Sequence, residues 1–113
     1  MLNQIILEGR IVKNERRNTK KGNSYLSLVI AYETLSKENG NWEKKTNFIK
    51  GLSWKKISEK VENILKPGFP IILEGSLEQV SFQDGEDKKV YNYINIDKFH
   101  LNLKNQKNKK LKF

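Results

Sequence analysis

Apolar and polar residues alternate along most of the chain, with the period of two that is typical of a half-buried β-strand. In residues 24–33, SYLSLVIAYE, the positions on one face are Leu26, Leu28, Ile30 and Tyr32, and we assign this face to the core. Comparable runs predict further strands at residues 3–13, 46–54, 69–82 and 90–101. Polar connections are predicted at residues 14–23 and 34–45, with turn signals at Asn39-Gly40 and Asp84-Gly85.

The pentapeptide IILEG occurs twice, at residues 5–9 and 71–75, and its flanking sequences do not repeat. Its β-branched residues favour a strand. A glycine inside a strand marks a bend, a bulge or a place where another backbone comes close. We therefore predict two long strands that curve at Gly9 and Gly75, as strands of a small closed barrel must.

Between the third and fourth strands the apolar period becomes that of a helix. In residues 55–68, KKISEKVENILKPG, one apolar stripe recurs at i, i+4, i+7 and i+8. Ser53 is the predicted N-cap, and Pro67-Gly68 ends the helix. Five strands with one helix between strands 3 and 4 predict an all-β OB-fold, a closed or partly open barrel. An SH3-like barrel is the structural alternative, but it normally lacks such a helix.

Size and composition narrow the function classes. The 113 residues suit one domain over residues 1–101, followed by a basic tail at residues 102–113 that we expect to be disordered. No apolar run approaches the roughly 18 residues of a membrane span, and no signal peptide is visible, so we expect a cytoplasmic protein without a membrane partner. With no cysteine and one histidine, no metal ligand set is apparent, and we expect neither a cofactor nor an enzyme.

The formal net charge of +9 points to a polyanionic partner. A lysine-rich surface on an ordinary soluble domain explains the charge equally well. The abundance of Lys, Asn and Ile also suits an A+T-rich genome. Charge alone therefore leaves nucleic-acid binding open.

The third strand carries the clearest binding pattern. Phe48, Lys50 and Trp54 share one face, and rings interleaved with a cation are typical of surfaces that stack bases and contact phosphates. The alternative places Phe48 and Trp54 in the core, the usual location of strand aromatics. The lysine between them argues against that alternative.

Other rings leave two interpretations open. Trp42, in a polar connection, either folds back onto the barrel or offers its ring to a base. Phe82 precedes a turn, where aromatics are often exposed. The tyrosines Tyr25, Tyr91 and Tyr93 fit equally well as half-buried strand residues.

Several segments, in order, resemble the bacterial single-stranded DNA-binding protein (SSB) family over about residues 1–101. MLNQIILEGRI resembles its N-terminus, TNFIKGLSWKKISEKVENILKPG its third strand and helix, and IILEGSLE the strand that follows. The resemblance implies an OB-fold that binds single-stranded DNA without sequence preference, in DNA replication, recombination or repair. It also implies a homotetramer, or a dimer as second choice, without catalysis or cofactor.

The resemblance assigns stacking rings to Phe48, Trp54 and Phe82. The family's ring near the end of the second strand has no good match, since Tyr32 or Thr34 lies nearest and Trp42 comes later. The resemblance also implies basic contacts at matching positions. The full candidate set for single-stranded DNA is Phe48, Trp54, Phe82, Trp42, Arg10, Lys50, Lys55, Lys56, Arg16 and Arg17.

The chain departs from the family at residues 14–23, which lack the usual proline and tyrosine, and at its end. The ending KNQKNKKLKF has no acidic tip, so this is interpreted as a short form whose basic tail adds phosphate contacts. Replication or repair proteins would then be partners by another route. The alternative function is an OB-fold adaptor in replication restart, similar to the primosomal replication protein PriB, acting mainly through protein–protein contacts.

Overall fold

The computed structural model describes residues 1–56 and 59–100, and there the chain forms a closed five-stranded barrel. The barrel order is β1-β2-β3-β5-β4, in which β3 and β5 run parallel and all other neighbours antiparallel. One helix lies between β3 and β4, as predicted. The elements are β1 (Ile5–Asn18), β2 (Ser24–Glu38), β3 (Asn41–Ser53), α1 (Glu59–Ile64), β4 (Pro70–Asp84) and β5 (Asp87–His100).

The strands are longer than predicted because they continue into two hairpins. The expected connection at residues 34–45 is instead the outer half of the β2–β3 hairpin. Its two-residue turn has positive φ angles at Asn39 (53°) and Gly40 (83°), the geometry of a type I′ turn. The β4–β5 hairpin closes at residues 85–86, where Gly85 has a φ of 66°. The connection predicted at residues 14–23 shrinks because β1 continues to Asn18.

The helix is shorter than predicted, and its N-cap assignment is wrong. Ser53 is the last residue of β3 and is 2% exposed, so it belongs to the barrel wall. Pro67 and Gly68 do follow the end of the helix, with Gly68 in the positive-φ region. Leu101 and the tail at residues 102–113 lie outside the described residues.

The two IILEG segments are direct partners. They pair antiparallel with Leu7 opposite Leu73 at the centre, and each glycine faces the first isoleucine of the other copy. A Cβ on Gly9 would lie 2.5 Å from the carbonyl oxygen of Ala31, and one on Gly75 would overlap that of Asn95. Both glycines therefore allow another backbone to come close, as predicted. The two copies of the repeat therefore form the two sides of one antiparallel pairing between β1 and β4.

The core lies inside the barrel and contains the predicted inward residues of β2, except that Tyr32 is only half-buried. The helix is fastened to β1 by polar side chains. Asn14 donates to the carbonyl oxygen of Leu65 at 2.7 Å, and Arg16 pairs with Glu62. The buried apolar residues are Ile11, Leu26, Leu28, Ile30, Leu65, Ile71, Leu73, Ile94 and Ile96.

The β1–β2 register shifts between Ile11 and Lys13, so Val12 is an extra residue in β1. Such a bulge moves each following side chain to the other face of the sheet. Lys13 pairs with outward-facing Val29, whereas unshifted pairing would place it opposite buried Leu28. The bulge therefore turns the odd-numbered residues after it to the outside of the barrel.

Candidate nucleic-acid interface

The outer face of β3 carries the predicted rings. Phe48 stands opposite Ala31 on β2, and Lys50 stands opposite Val29. Phe48 is 63% exposed, and Trp54, directly after the end of β3, is 46% exposed. The interpretation of these two residues as core is therefore wrong.

A groove of about 530 Å³ lies beside this face and crosses the parallel β3–β5 junction. It includes two ring pairs. The centroids of Tyr25 and Trp54 are 4.5 Å apart, and those of Phe82 and Tyr91 are 5.4 Å apart with an interplanar angle of 16°. The residues that line the groove are Tyr25, Lys50, Leu52, Trp54, Val80, Phe82, Tyr91, Asn92 and Tyr93.

The structure brings three tyrosines to the groove that the sequence left open. Tyr93 donates its hydroxyl to Glu78 at 2.9 Å, and this hydrogen bond raises the pKa of Tyr93. Alternation along the strands predicts part of this arrangement. Tyr25 lies on the face of β2 that is turned away from the core, and Tyr91 and Tyr93 lie on the face of β5 that is turned away from buried Ile94. Strand register was needed to bring them together.

Trp42 lies at the outer end of the β2–β3 hairpin, on the same side of β3 as Phe48 and Trp54 by alternation. Its side chain is 68% exposed, so it does not fold back onto the barrel. The Nζ of Lys37 is 5.9 Å from the centre of its ring, a cation–π distance. The ring face therefore continues along the hairpin.

The basic candidates divide between two faces. Arg16 faces the helix, where its Nε and Nη2 donate to the two carboxylate oxygens of Glu62, both at 2.9 Å, and its Nη1 donates to Ser24 Oγ at 2.8 Å. This contact lowers the pKa of Glu62 and raises that of Arg16. Arg10 and Arg17 face outward instead, beside Ala31 and Tyr25. The structure therefore does not bring Arg16 to the ring face.

Lysines add further positive charge, and one of them, Lys50, lines the groove. Lys50 forms no ion pair within the described residues. Lys55 donates to the carbonyl oxygen of Asp97 at 3.3 Å, and Lys56 is exposed. Lys13, which is not among the candidates predicted from the sequence, joins Arg10 and Arg17 on the outer face because of the bulge.

Two carboxylates also lie on this face, and each approaches two cations. The oxygens of Glu15 are 2.9 Å from Lys13 Nζ and 2.6 Å from Arg17 Nη2. The hydrogen bond from Lys13, followed in size by that from Arg17, lowers the pKa of Glu15. A second carboxylate, Glu33, lies 4.0 Å from Arg10 and 3.8 Å from Lys44.

Residues 1–56 and 59–100 contain no group of His, Cys, Asp and Glu side chains that could hold a metal ion. Over the same ranges, no helix has the length and hydropathy needed to cross a bilayer.

The sequence of residues 2–101 matches the model of the single-strand binding protein family. The chain belongs to this family. One relative, single-stranded DNA-binding protein 3 of Listeria innocua serovar 6a, is 32% identical over 92 residues, which are 80% of this chain and 57% of the relative. Single-stranded DNA-binding protein A of Bacillus subtilis strain 168 is 29% identical over 93 residues, 80% of this chain and 53% of that protein. The chain thus spans little more than half of these relatives.

Two solved structures of single-stranded DNA-binding proteins share the fold. A Plasmodium falciparum SSB in complex with single-stranded DNA aligns with a TM-score of 0.74 at 18% identity, covering 88% of this chain and 92% of that one. A small single-stranded DNA-binding protein from Streptomyces coelicolor aligns with a TM-score of 0.67 at 16% identity, covering 93% and 99%. The predicted OB-fold is confirmed.

Proposed function

We propose that this protein binds single-stranded DNA without sequence preference, by stacking bases on exposed rings and contacting phosphates with lysine and arginine. The observation that carries the proposal is the groove, which is lined by Lys50 and by aromatic rings from β2, β4 and β5 and from the residue after β3. Membership of the single-strand binding protein family supports the same function.

The rings explain selection for single strands. Every base has a π-face, so stacking tolerates any sequence, and each stacked base contributes about 1–3 kcal/mol. Bases within a duplex are already stacked on their neighbours and cannot offer their faces to Phe48 or Trp54. The contacts Tyr25–Trp54 and Phe82–Tyr91 hold rings in place before binding, which reduces the entropy lost on association.

Phosphate contacts would come from the outward-facing cations near the rings. We assign this role to Arg10, Lys13, Arg17 and Lys50, with Lys55 and Lys56 beyond the end of β3. Arg16 is assigned instead to holding α1 against β1, because Glu62 occupies its guanidinium. Trp42 would extend the stacking surface along the β2–β3 hairpin.

In the cell, this activity would protect or organise single strands during replication, recombination or repair. We propose a homo-oligomer as the working form, a tetramer first and a dimer second, and place it in the cytoplasm. Binding alone accounts for this role, so neither an enzymatic activity nor a cofactor is proposed.

The second candidate is the OB-fold adaptor that acts mainly through protein contacts. The helix favours it, since the described part of α1 spans Glu59–Ile64 and the adaptor that the chain resembles has little helix at this place. An adaptor would bind DNA weakly as a pure protein and would recover a helicase from cell extract.

The test is a titration of the pure protein with a dT oligomer of several tens of nucleotides, followed by tryptophan fluorescence at low and high salt. We expect strong quenching by the single strand, none by duplex DNA, and weaker binding at high salt. Weak binding that does not distinguish single strand from duplex would refute the proposal and favour the adaptor.

A further inference from the structure

The outer face of β1 presents a row of charges parallel to the ring row of β3. Lys13, Glu15 and Arg17 stand opposite Val29, Ser27 and Tyr25 of β2, in that order. The rings of β3 lie one strand further on, so about 10 Å separates the two rows at the usual strand spacing. A nucleic-acid strand whose bases stack on β3 would bring its phosphates toward this row.

Glu15 occupies the centre of the row. One carboxylate oxygen is 2.9 Å from Lys13 Nζ, and the other accepts from Arg17 Nη2 at 2.6 Å and from Arg17 Nε at 3.0 Å. The side chains remain partly open to water, with exposed fractions of 37% for Glu15, 59% for Lys13 and 49% for Arg17. Both cations are thus held by one anion at the surface, where a second anion can reach them.

From this geometry we propose that Glu15 is an internal counter-ion that occupies a phosphate-binding position and lowers the affinity for single-stranded DNA. The inference rests on the proposed function. A phosphate that approaches Lys13 and Arg17 meets a like charge and must displace the carboxylate. Exposed ion pairs are weak, so displacement is feasible, but it offsets part of the gain from the new contact.

The same arrangement limits the salt dependence of binding. Each phosphate that a protein cation neutralises on a single strand contributes about −0.7 to the slope of log K against log salt concentration. Binding releases salt cations from the DNA phosphates, and this release produces the salt dependence. A displaced Glu15 carboxylate attracts a salt cation in turn, which cancels part of that release. Glu33, between Arg10 and Lys44, repeats the arrangement at the longer distances of 4.0 and 3.8 Å.

The test replaces the counter-ion and leaves both cations in place. Glu15→Gln keeps the size of the side chain and removes its charge. We expect binding to a dT oligomer to tighten roughly threefold to tenfold at low salt, since two exposed ion pairs are released. The salt slope should steepen by about 0.7 for each phosphate that the freed cations engage.

Matched variants separate a local effect from a change in net charge. Glu43→Gln removes the same charge from the opposite face of β3, at a residue without an ion pair among the described residues. It should change affinity and salt slope much less. Glu15→Asp retains the anion and should restore wild-type behaviour. With Lys13→Met and Arg17→Met already present, Glu15→Gln should add nothing beyond its net-charge effect.

Three outcomes would overturn the inference: Glu15→Gln matching Glu43→Gln in affinity and slope, Glu15→Gln weakening binding, or its effect persisting without the two cations. Melting temperatures of all variants check that the fold is intact. Failure of the proposed function is a different result, because the wild-type protein itself would then fail to distinguish a dT oligomer from duplex DNA.

Discussion

Phe48 and Trp54 should differ in what they contribute to stability while contributing similarly to binding. Phe48 is 63% exposed, so only about a third of the 1.5–3 kcal/mol that a fully buried phenylalanine contributes is at stake. We therefore expect Phe48→Ala to destabilise the fold by about 1 kcal/mol or less. Trp54 is more covered and contacts Tyr25, and such a ring contact adds about 0.5–1.5 kcal/mol. Trp54→Ala should lower the melting temperature more.

For binding, each substitution removes one stacking platform, at a cost of about 1–3 kcal/mol. Taking about 2 kcal/mol for each, a single substitution weakens binding roughly 30-fold. The two rings are six positions apart, or about 20 Å in an extended chain, so the two effects should add. The double variant should bind roughly a thousandfold more weakly than wild type.

The assay is fluorescence anisotropy of a labelled dT oligomer, which does not depend on the protein's own tryptophans. Ile6→Ala is the matched control, because Ile6 is 65% exposed but lies on the β1–β4 seam, away from β3. Binding by the double variant as tight as that of wild type, or a loss no larger than that of Ile6→Ala, would refute this assignment of the two rings.

Three further predictions concern the fold and the reach of the site. Gly75→Ala should lower the free energy of unfolding by about 3 kcal/mol or more, because the new Cβ would overlap the backbone of β5. Gly85 lies in open space at a φ of 66°, so Gly85→Ala should lower the free energy of unfolding by about 1 kcal/mol. Equal losses for the two variants in urea unfolding would contradict the packing at Gly75. Because Arg16 lowers the pKa of Glu62, the ion pair stabilises the fold above the usual carboxyl range and is lost as the pH falls through the lowered value. Glu62→Gln should therefore destabilise the protein by about 1 kcal/mol at neutral pH, and a difference that persists at pH values of about 2–3 would argue against this origin. Trp42→Ala should weaken the binding of dT oligomers that are long enough to span the hairpin and leave the binding of shorter ones unaffected. Equal losses of affinity for both lengths would place Trp42 among the residues that contact DNA at the groove.

Much of the barrel was predictable because burial leaves a period in the sequence. Leu26, Leu28 and Ile30 mark the inner face of β2, and the paired glycines mark the places where strands come close. The outer half of the β2–β3 hairpin was missed as strand for the same reason, and the two strands of the β4–β5 hairpin were predicted two and three residues short of their turn. Their side chains are almost all exposed on both faces, so no alternation separates them from a polar loop.

The ring face was predictable from β3 alone, but the arrangement of charges was not. One extra residue, Val12, decides which of the following charged side chains face the rings. Without that register, Arg16 is indistinguishable from Arg17, and Lys13 cannot be placed. Pairing across strands was equally needed to bring Tyr25 to Trp54.

The junction between β3 and β5 has a mechanical consequence. Among the described residues these strands pair only from Lys50–Leu52 to Tyr93–Asn95, and beyond this short ladder they separate into different hairpins. The groove lies over the junction, with Trp54 on one side and Tyr91 on the other. A wall with so few bonds is where transient opening of the barrel should be easiest, and where backbone amides should exchange their hydrogens soonest. A ligand that contacts both sides of this junction would stabilise the closed barrel, so that binding in the groove and closure of the barrel would be thermodynamically coupled.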